Sequence, residues 1–136
     1  MIRAVLDTNV YISGILFDGN PKKLIERAVE GKLQIYITSE IITEIRDVLS
    51  RDKFGFSPEY IQSIIGEIEA ISVFVIPKKK HTVVNRDIDD NIIIDCAVEG
   101  RVDYIITGDS DLLSLKQYKN IIIINPAEFL LNSGEN

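Results

Sequence analysis

Short apolar runs alternate along this chain with segments whose apolar residues recur at helical spacing. Residues 2–6 form a continuous, partly β-branched run, which is typical of a central parallel strand covered on both faces. Further strands are predicted at 33–37, 72–76, 104–107 and 121–124. The pattern therefore predicts about five strands, separated throughout by helices.

The helix boundaries are marked by capping residues, prolines and glycines. Pro21 is placed for the first turn of a helix that Gly31 ends, and Thr38 or Ser39 can cap the next helix, which runs to about Leu49. Other helices are predicted over 10–16, from Pro58, from a cap at Asp89 or Asp90 to Gly100, near 111–115, and from Pro126. This alternation predicts an α/β fold, a three-layer α/β/α sandwich with a central, mostly parallel sheet.

Composition limits the class of protein without assigning a function. The 136 residues fit a single domain, predicted over 1–132 with a flexible tail at 133–136. No apolar run approaches the roughly 20 residues needed to span a bilayer, and no secretory signal is visible, so we expect a cytoplasmic protein with no membrane partner. The single cysteine, Cys96, has apolar neighbours and is predicted to be a buried, inert thiol.

The net charge of −6 has the wrong sign for ordinary nucleic-acid binding, which relies on Lys and Arg to neutralise phosphates. It is compatible with a nucleic-acid enzyme whose acids cluster around metal ions, because the ions reverse the local field. Composition alone favours neither interpretation.

Acidic residues occur where a parallel sheet normally binds its ligands, beyond the carboxyl ends of the strands. Asp7 follows the first strand, and Asp109 and Asp111 follow the strand at 104–107, while Glu44 and Asp90 lie on or at the start of helices. If they converge, their repulsion requires a cation, and oxygen ligands without His or Cys indicate Mg²⁺ or Mn²⁺. Such a metal pair can activate water and orient a phosphodiester.

Each acid alone has a simpler explanation. Asp7, Asp90 and Asp109 could each cap a helix, and Glu44 alone is typical of a solvated helix residue. Their joint placement is what indicates a site.

Four short motifs in this order resemble the PIN-domain family over almost the whole chain. They are Asp7-Thr8-Asn9, Thr43-Glu44-Ile45, Asp89-Asp90-Asn91 and Thr107-Gly108-Asp109-Ser110-Asp111-Leu112. The chain is most similar to small bacterial and archaeal PIN proteins related to the toxins of toxin–antitoxin pairs. That resemblance implies a PIN-like fold and a Mg²⁺- or Mn²⁺-dependent endoribonuclease acting on RNA. It also implies an antitoxin protein as partner and a homodimer, as toxin members often have.

The resemblance assigns roles residue by residue. Asp7, Glu44, Asp90 and Asp109 match the acids that hold metal and carry catalysis, and Asp111 matches a further acid of some members. Asn9, Asn91 and Thr107 match polar positions that orient the acids or approach the phosphate. Asp87 and Asp89 are close enough in sequence to take the place of Asp90.

Cations near these acids in sequence are candidates for binding substrate. Arg46 and Arg86 are the main ones, with Arg51 and Lys53 close to Glu44, whereas the lysines at 78–80 read as a solvated turn.

Other functions fit the sequence less well. A haloacid-dehalogenase-type phosphatase needs an acid where Asn9 stands, and a receiver domain needs an acceptor Asp after the third strand, where Pro77 and Lys78 lie. A dinucleotide-binding module needs a glycine-rich phosphate turn, which is missing. The alternative that stays open is a catalytically silent PIN-like domain that binds RNA or another protein.

Overall fold

A central sheet of six strands organises the computed structural model, which describes residues 1–81 and 88–132, with side chains in the helix at 88–100 from Asp90 onward. The strands are β1 (Ile2–Leu6), β2 (Leu33–Ile37), β3 (Ser72–Phe74), β4 (Tyr104–Ile106), β5 (Gln117–Tyr118) and β6 (Ile121–Ile124). The helices are α1 (Thr8–Leu16), α2 (Asn20–Val29), α3 (Ser39–Leu49), α4 (Pro58–Ala70), α5 (Ile88–Gly100), α6 (Ser110–Leu113) and α7 (Pro126–Asn132), with a 3₁₀ turn at Asp52–Phe54.

The strand order is β3-β2-β1-β4-β6-β5, and every neighbouring pair is parallel except β5 with β6. The chain moves from β1 through β2 to β3 on one side, then crosses to β4 on the other side of β1. The helix α5 packs on β1, β2 and β4, while α2 packs on β2 and α4 on β3. The predicted mostly parallel α/β architecture is confirmed.

The core explains why the strand predictions succeeded in the centre and failed at an edge. Ala4, Val5 and Leu6 are fully buried, as expected of a strand covered on both faces. The third strand ends at Phe74 rather than residue 76, because beyond Val75, whose N–H bonds the Ile37 carbonyl, the chain leaves the sheet ahead of Pro77. The sequence also missed β5, which is only two residues long and has no alternation to recognise.

Predicted caps are confirmed in α3 and wrong in α5. The Thr38 hydroxyl accepts from the Ile41 N–H at 3.2 Å. In contrast, α5 already begins at Ile88, so Asp89 and Asp90 lie within its first turn and do not cap it. This places the Asp90 side chain on the helix.

Two carboxylates of α5 hold the connection that leads from β3 toward that helix. Asp95 Oδ1 accepts from the His81 N–H at 2.6 Å and lies 2.8 Å from His81 Nδ1, while Glu99 Oε1 accepts from the Lys78 N–H at 2.9 Å. His81 is therefore paired with α5, more tightly held than a residue of a solvated turn.

The helices of the described ranges are short. None combines the length and apolar character required to cross a membrane.

Candidate functional site

The carboxyl ends of β1 and β4 lie side by side at the point where the strand order reverses. Leu6 pairs with Ile106, and the Asp7 N–H donates to the Ile106 carbonyl at 3.0 Å, so Asp7 and Thr107 follow at neighbouring positions. This reversal point is where open parallel sheets bind their ligands.

Thr107 connects the two predicted acids on either side of that point. Its Oγ1 donates to Asp7 Oδ2 at 2.7 Å and accepts from the Asp109 N–H at 2.9 Å. Both Thr107 and Asp7 are buried. The side chain of Asp7 makes no capping bond to α1, so its carboxylate serves the contact with Thr107, and the capping explanation for Asp7 is wrong.

Three carboxylates converge beside this pair. Oxygen atoms of Asp90, Asp109 and Asp111 lie within 4.8 Å of one another, with Asp90 buried and the other two half-buried. Asp109 also caps α6, because its Oδ2 accepts from the Leu112 N–H at 3.0 Å. The capping and site interpretations of Asp109 therefore both hold for one side chain.

Asp90 is the acid of α5 that the structure brings to this group. Asn91 follows it and is buried too. The alternatives to Asp90, which are Asp87 and the side chain of Asp89, fall outside the described residues, as does Arg86. Asp111, which matches an acid of only some family members, is brought into the group, whereas Asp7 and Glu44 do not belong to it.

Glu44 lies half-buried on α3, on the wall of a groove of about 420 Å³. Ile92, two residues after Asp90, lines the same groove, as does Arg51. The groove therefore extends from the neighbourhood of Asp90 along α3. Asn9, in contrast, is exposed.

Two cations close to Glu44 in sequence, Arg46 and Arg51, lie in different surroundings. Arg46 Nη2 approaches Gln62 Oε1 of α4 at 3.4 Å, while Arg51 shares the groove with Glu44.

Two buried groups near the site had no predicted role in it or only a passive one. Thr8 Oγ1 lies beside Asp7 in the chain, is buried, and has no hydrogen-bond partner in the described part of the molecule. Cys96 is fully buried on α5, and burial, with smaller contributions from Asp95 and Glu40, raises the pKa of its thiol to about 12. The buried location predicted for Cys96 is confirmed.

The group of Asp90, Asp109 and Asp111 suits a hard divalent cation. All donors are oxygens, the carboxylates would repel one another without a cation, and no described His or Cys belongs to the group. A buried hydroxyl without a partner, at Thr8, is a further oxygen beside Asp7.

The chain is similar to known proteins in family, in sequence and in fold. A family model described as PIN domain matches residues 3–111. An uncharacterised protein of Methanocaldococcus jannaschii is 35% identical over 128 residues, which covers 91% of this chain and 81% of that protein. The fold is similar to a chain in the crystal structure of VapBC2 from Rickettsia felis bound to a DNA fragment from their promoter, with a TM-score of 0.63 and 17% identity. That match covers 91% of this chain and 98% of the other.

Proposed function

This chain belongs to the PIN domain family, and from that membership we propose that it is a metal-dependent endoribonuclease hydrolysing RNA phosphodiester bonds. The observation that carries the proposal is the convergence of Asp90, Asp109 and Asp111 at the reversal point of the sheet. PIN domains are generally nucleases, and this acid group is the part of the chain suited to that chemistry.

Asp90, Asp109 and Asp111 would hold Mg²⁺ or Mn²⁺, with Asp7 and Glu44 as further acids at its border. When bound, such a cation supplies Lewis-acid stabilisation of the phosphate and an activated water. Carboxylates from β1, β4 and α5 would thereby act together although they are far apart in sequence.

The remaining residues position these acids. Thr107 fixes the Asp7 carboxylate and the backbone of Asp109 with one hydroxyl, so the two acids keep a constant separation. The bond from the Leu112 N–H fixes the Asp109 side chain. Asn91 follows Asp90 in the chain and is a candidate for contacting the phosphate, and Asn9, which is exposed, is a second candidate.

The first test is cleavage of a mixed single-stranded RNA pool with Mn²⁺, Mg²⁺ or EDTA by wild type and Asp109→Asn. Asn is an equally good helix cap, so this variant keeps α6 while removing one negative charge. We expect metal-dependent cleavage that falls at least 100-fold in the variant, as loss of a charge-stabilising group commonly causes.

Glu69→Gln is the matched control, because Glu69 is an exposed acid of α4 and should cleave at the wild-type rate. Absence of cleavage by wild type at high enzyme concentration would contradict the nuclease proposal and favour the silent RNA-binding or protein-interaction domain. Equal cleavage by Asp109→Asn would remove the acid group from the mechanism.

We further propose an antitoxin protein as partner, supported by the likeness of the fold to VapBC2. Expression of wild type alone should then arrest growth of a bacterial host, and Asp109→Asn should not. Normal growth on wild-type expression, with the purified protein active on RNA, would count against a toxin role.

A further inference from the structure

Three aromatic rings cluster on the surface between α3 and α4. Phe54 stacks on Phe56 with centroids 5.5 Å apart and ring planes within 4° of parallel, and Tyr60 packs on Phe56 at 5.0 Å. Of the three, only Phe56 packs against the hydrophobic core. Phe54 is half-buried without packing against that core, and Tyr60 is 47% exposed.

The backbone of this connection directs Phe54 and Phe56 together. Gly55 lies between them with φ of +63°, in the left-handed region that favours glycine, and no atom would approach a Cβ there within 4 Å. The turn thus stacks two rings that are separated by one residue. Anchoring the loop would require Phe56 alone, so the position of Phe54 needs another explanation.

One cation lies against the cluster, and another precedes it in the chain. Lys53 Nζ lies 5.1 Å from the Phe54 ring centroid. Arg51 precedes the 3₁₀ turn and lines the α3 groove together with Glu44.

We propose that Phe54, supported by Phe56 and Tyr60, is a stacking platform for a base of single-stranded RNA, with Arg51 and Lys53 contacting the adjoining phosphates. This inference rests on the proposed ribonuclease function and names its substrate class. Base stacking on aromatic rings combined with nearby Arg or Lys is the usual way in which proteins hold single strands without reading a sequence. Lys53 would leave the outer face of Phe54 when a base stacks there.

Charge explains why such a protein would rely on stacking. The chain carries −6, and the groove contains Glu40 and Asp47 as well as Glu44, so its electrostatic attraction for RNA is weak. Stacking does not depend on net charge. With one or two phosphate contacts, log affinity should fall with log salt at a slope of about −1, shallow for a nucleic-acid binder.

The absence of tryptophan from the chain allows a direct test. Phe54→Trp, combined with Asp109→Asn to prevent cleavage, introduces a single tryptophan on the platform, which can be excited selectively over the tyrosines. We expect saturable quenching by a 12-nucleotide oligo(A) RNA and little quenching by a blunt RNA duplex of the same length, whose bases are already stacked. Phe17→Trp in the same background is the control, because Phe17 is 65% exposed after α1 and should not respond.

Kinetics on the cleaving enzyme separate stacking from folding. Phe54→Leu should raise KM for single-stranded RNA about tenfold with kcat unchanged, and Phe54→Tyr should restore KM, since both aromatic rings stack. Unchanged KM in Phe54→Leu, or equal quenching at positions 54 and 17, would overturn the platform. Quenching at position 54 with no cleavage by wild type would instead refute the nuclease proposal and leave the platform standing.

Discussion

At the scale of single residues, one hydroxyl decides the geometry of the candidate site. Thr107 is buried. It forms hydrogen bonds with Asp7, which follows β1, and with the backbone of Asp109, which follows β4. The family resemblance gives Thr107 only a supporting role. In the structure its hydroxyl connects the Asp7 carboxylate to the backbone of Asp109. Side-chain deletion there should therefore disturb two acids at once.

Thr107→Val keeps the shape of the side chain and removes both hydrogen bonds. Because the Asp7 carboxylate and the Asp109 N–H lose a partner, we expect the free energy of unfolding to fall by about 2 kcal/mol. RNA cleavage should fall with it. Urea denaturation checks the stability, and Thr107→Ser, which retains the hydroxyl, should lie within about 1 kcal/mol of wild type. Equal stability of the Val variant and wild type would refute this account.

Cys96 gives a prediction about pH. Burial raises the pKa of its thiol from the ordinary value of 9.0 to about 12, so folding favours the protonated thiol. The stability that this group contributes is complete below pH 9 and declines as pH rises from 9 toward 12. Wild type should therefore lose more unfolding free energy between pH 8 and 10.5 than Cys96→Val, which cannot titrate there. Parallel pH dependence in the two proteins would contradict the burial argument.

At the scale of elements, α1 and α2 pack so closely at Gly14 that any larger residue there would force its neighbours to shift. A Cβ on Gly14 would lie 2.5 Å from Ile25 Cδ1 and 3.0 Å from the Pro21 carbonyl oxygen. The Ile25 methyl can move, but the Pro21 backbone cannot move without shifting the start of α2. This explains why a residue that weakens helices stands inside α1.

Gly14→Ala should lower the free energy of unfolding by about 2 kcal/mol, because overpacking outweighs the gain in helix propensity. Gly66→Ala is the matched control in α4, where no atom lies within 4 Å of the added methyl. There the higher helix propensity of alanine acts alone, and it should raise the free energy of unfolding by about 0.5–1 kcal/mol. The two denaturation midpoints should therefore move in opposite directions, and a shift of the same sign would disprove the packing argument.

Element positions were largely predictable from the sequence, whereas contacts between elements were not. The buried run at Ile2–Leu6 and the cap at Thr38 are local patterns and were confirmed. The hydrogen bond from Thr107 to Asp7 and the place of Arg51 in the Glu44 groove depend on tertiary packing. β5 was missed because two residues carry no periodicity. The rule about strand ends indicated Asp7 and Asp109, whereas the approach of Asp90, Asp109 and Asp111 to one another depends on tertiary packing.

At the scale of the whole molecule, the group of Asp90, Asp109 and Asp111 should lower the stability of the folded state. Asp90, Asp109 and Asp111 add like charges within 4.8 Å in a protein of net charge −6. Without a cation their repulsion destabilises the folded state. Active sites commonly carry this cost.

Asp111→Asn should therefore raise the melting temperature in EDTA and reduce the rise produced by Mn²⁺. We expect a gain of about 1 kcal/mol without metal, as removal of one close like charge allows. Thermal denaturation with EDTA and with Mn²⁺ measures both effects, with Glu69→Gln as the control that keeps the wild-type metal response. A lower melting temperature of Asp111→Asn in EDTA would contradict the repulsion argument.

The hydrogen bond between Thr107 and Asp7 joins residues 100 positions apart in the chain. The paired residues of β1 and β4 are separated by the same number of positions. During synthesis at about 5–20 residues per second, Asp7 therefore waits roughly 5–20 s for its partner. Until then the chain can pair β1 with β2 but cannot bring together the acids of β1, α5 and β4. An incomplete chain therefore lacks the assembled acid group, and any activity that depends on this group is delayed until synthesis is almost complete.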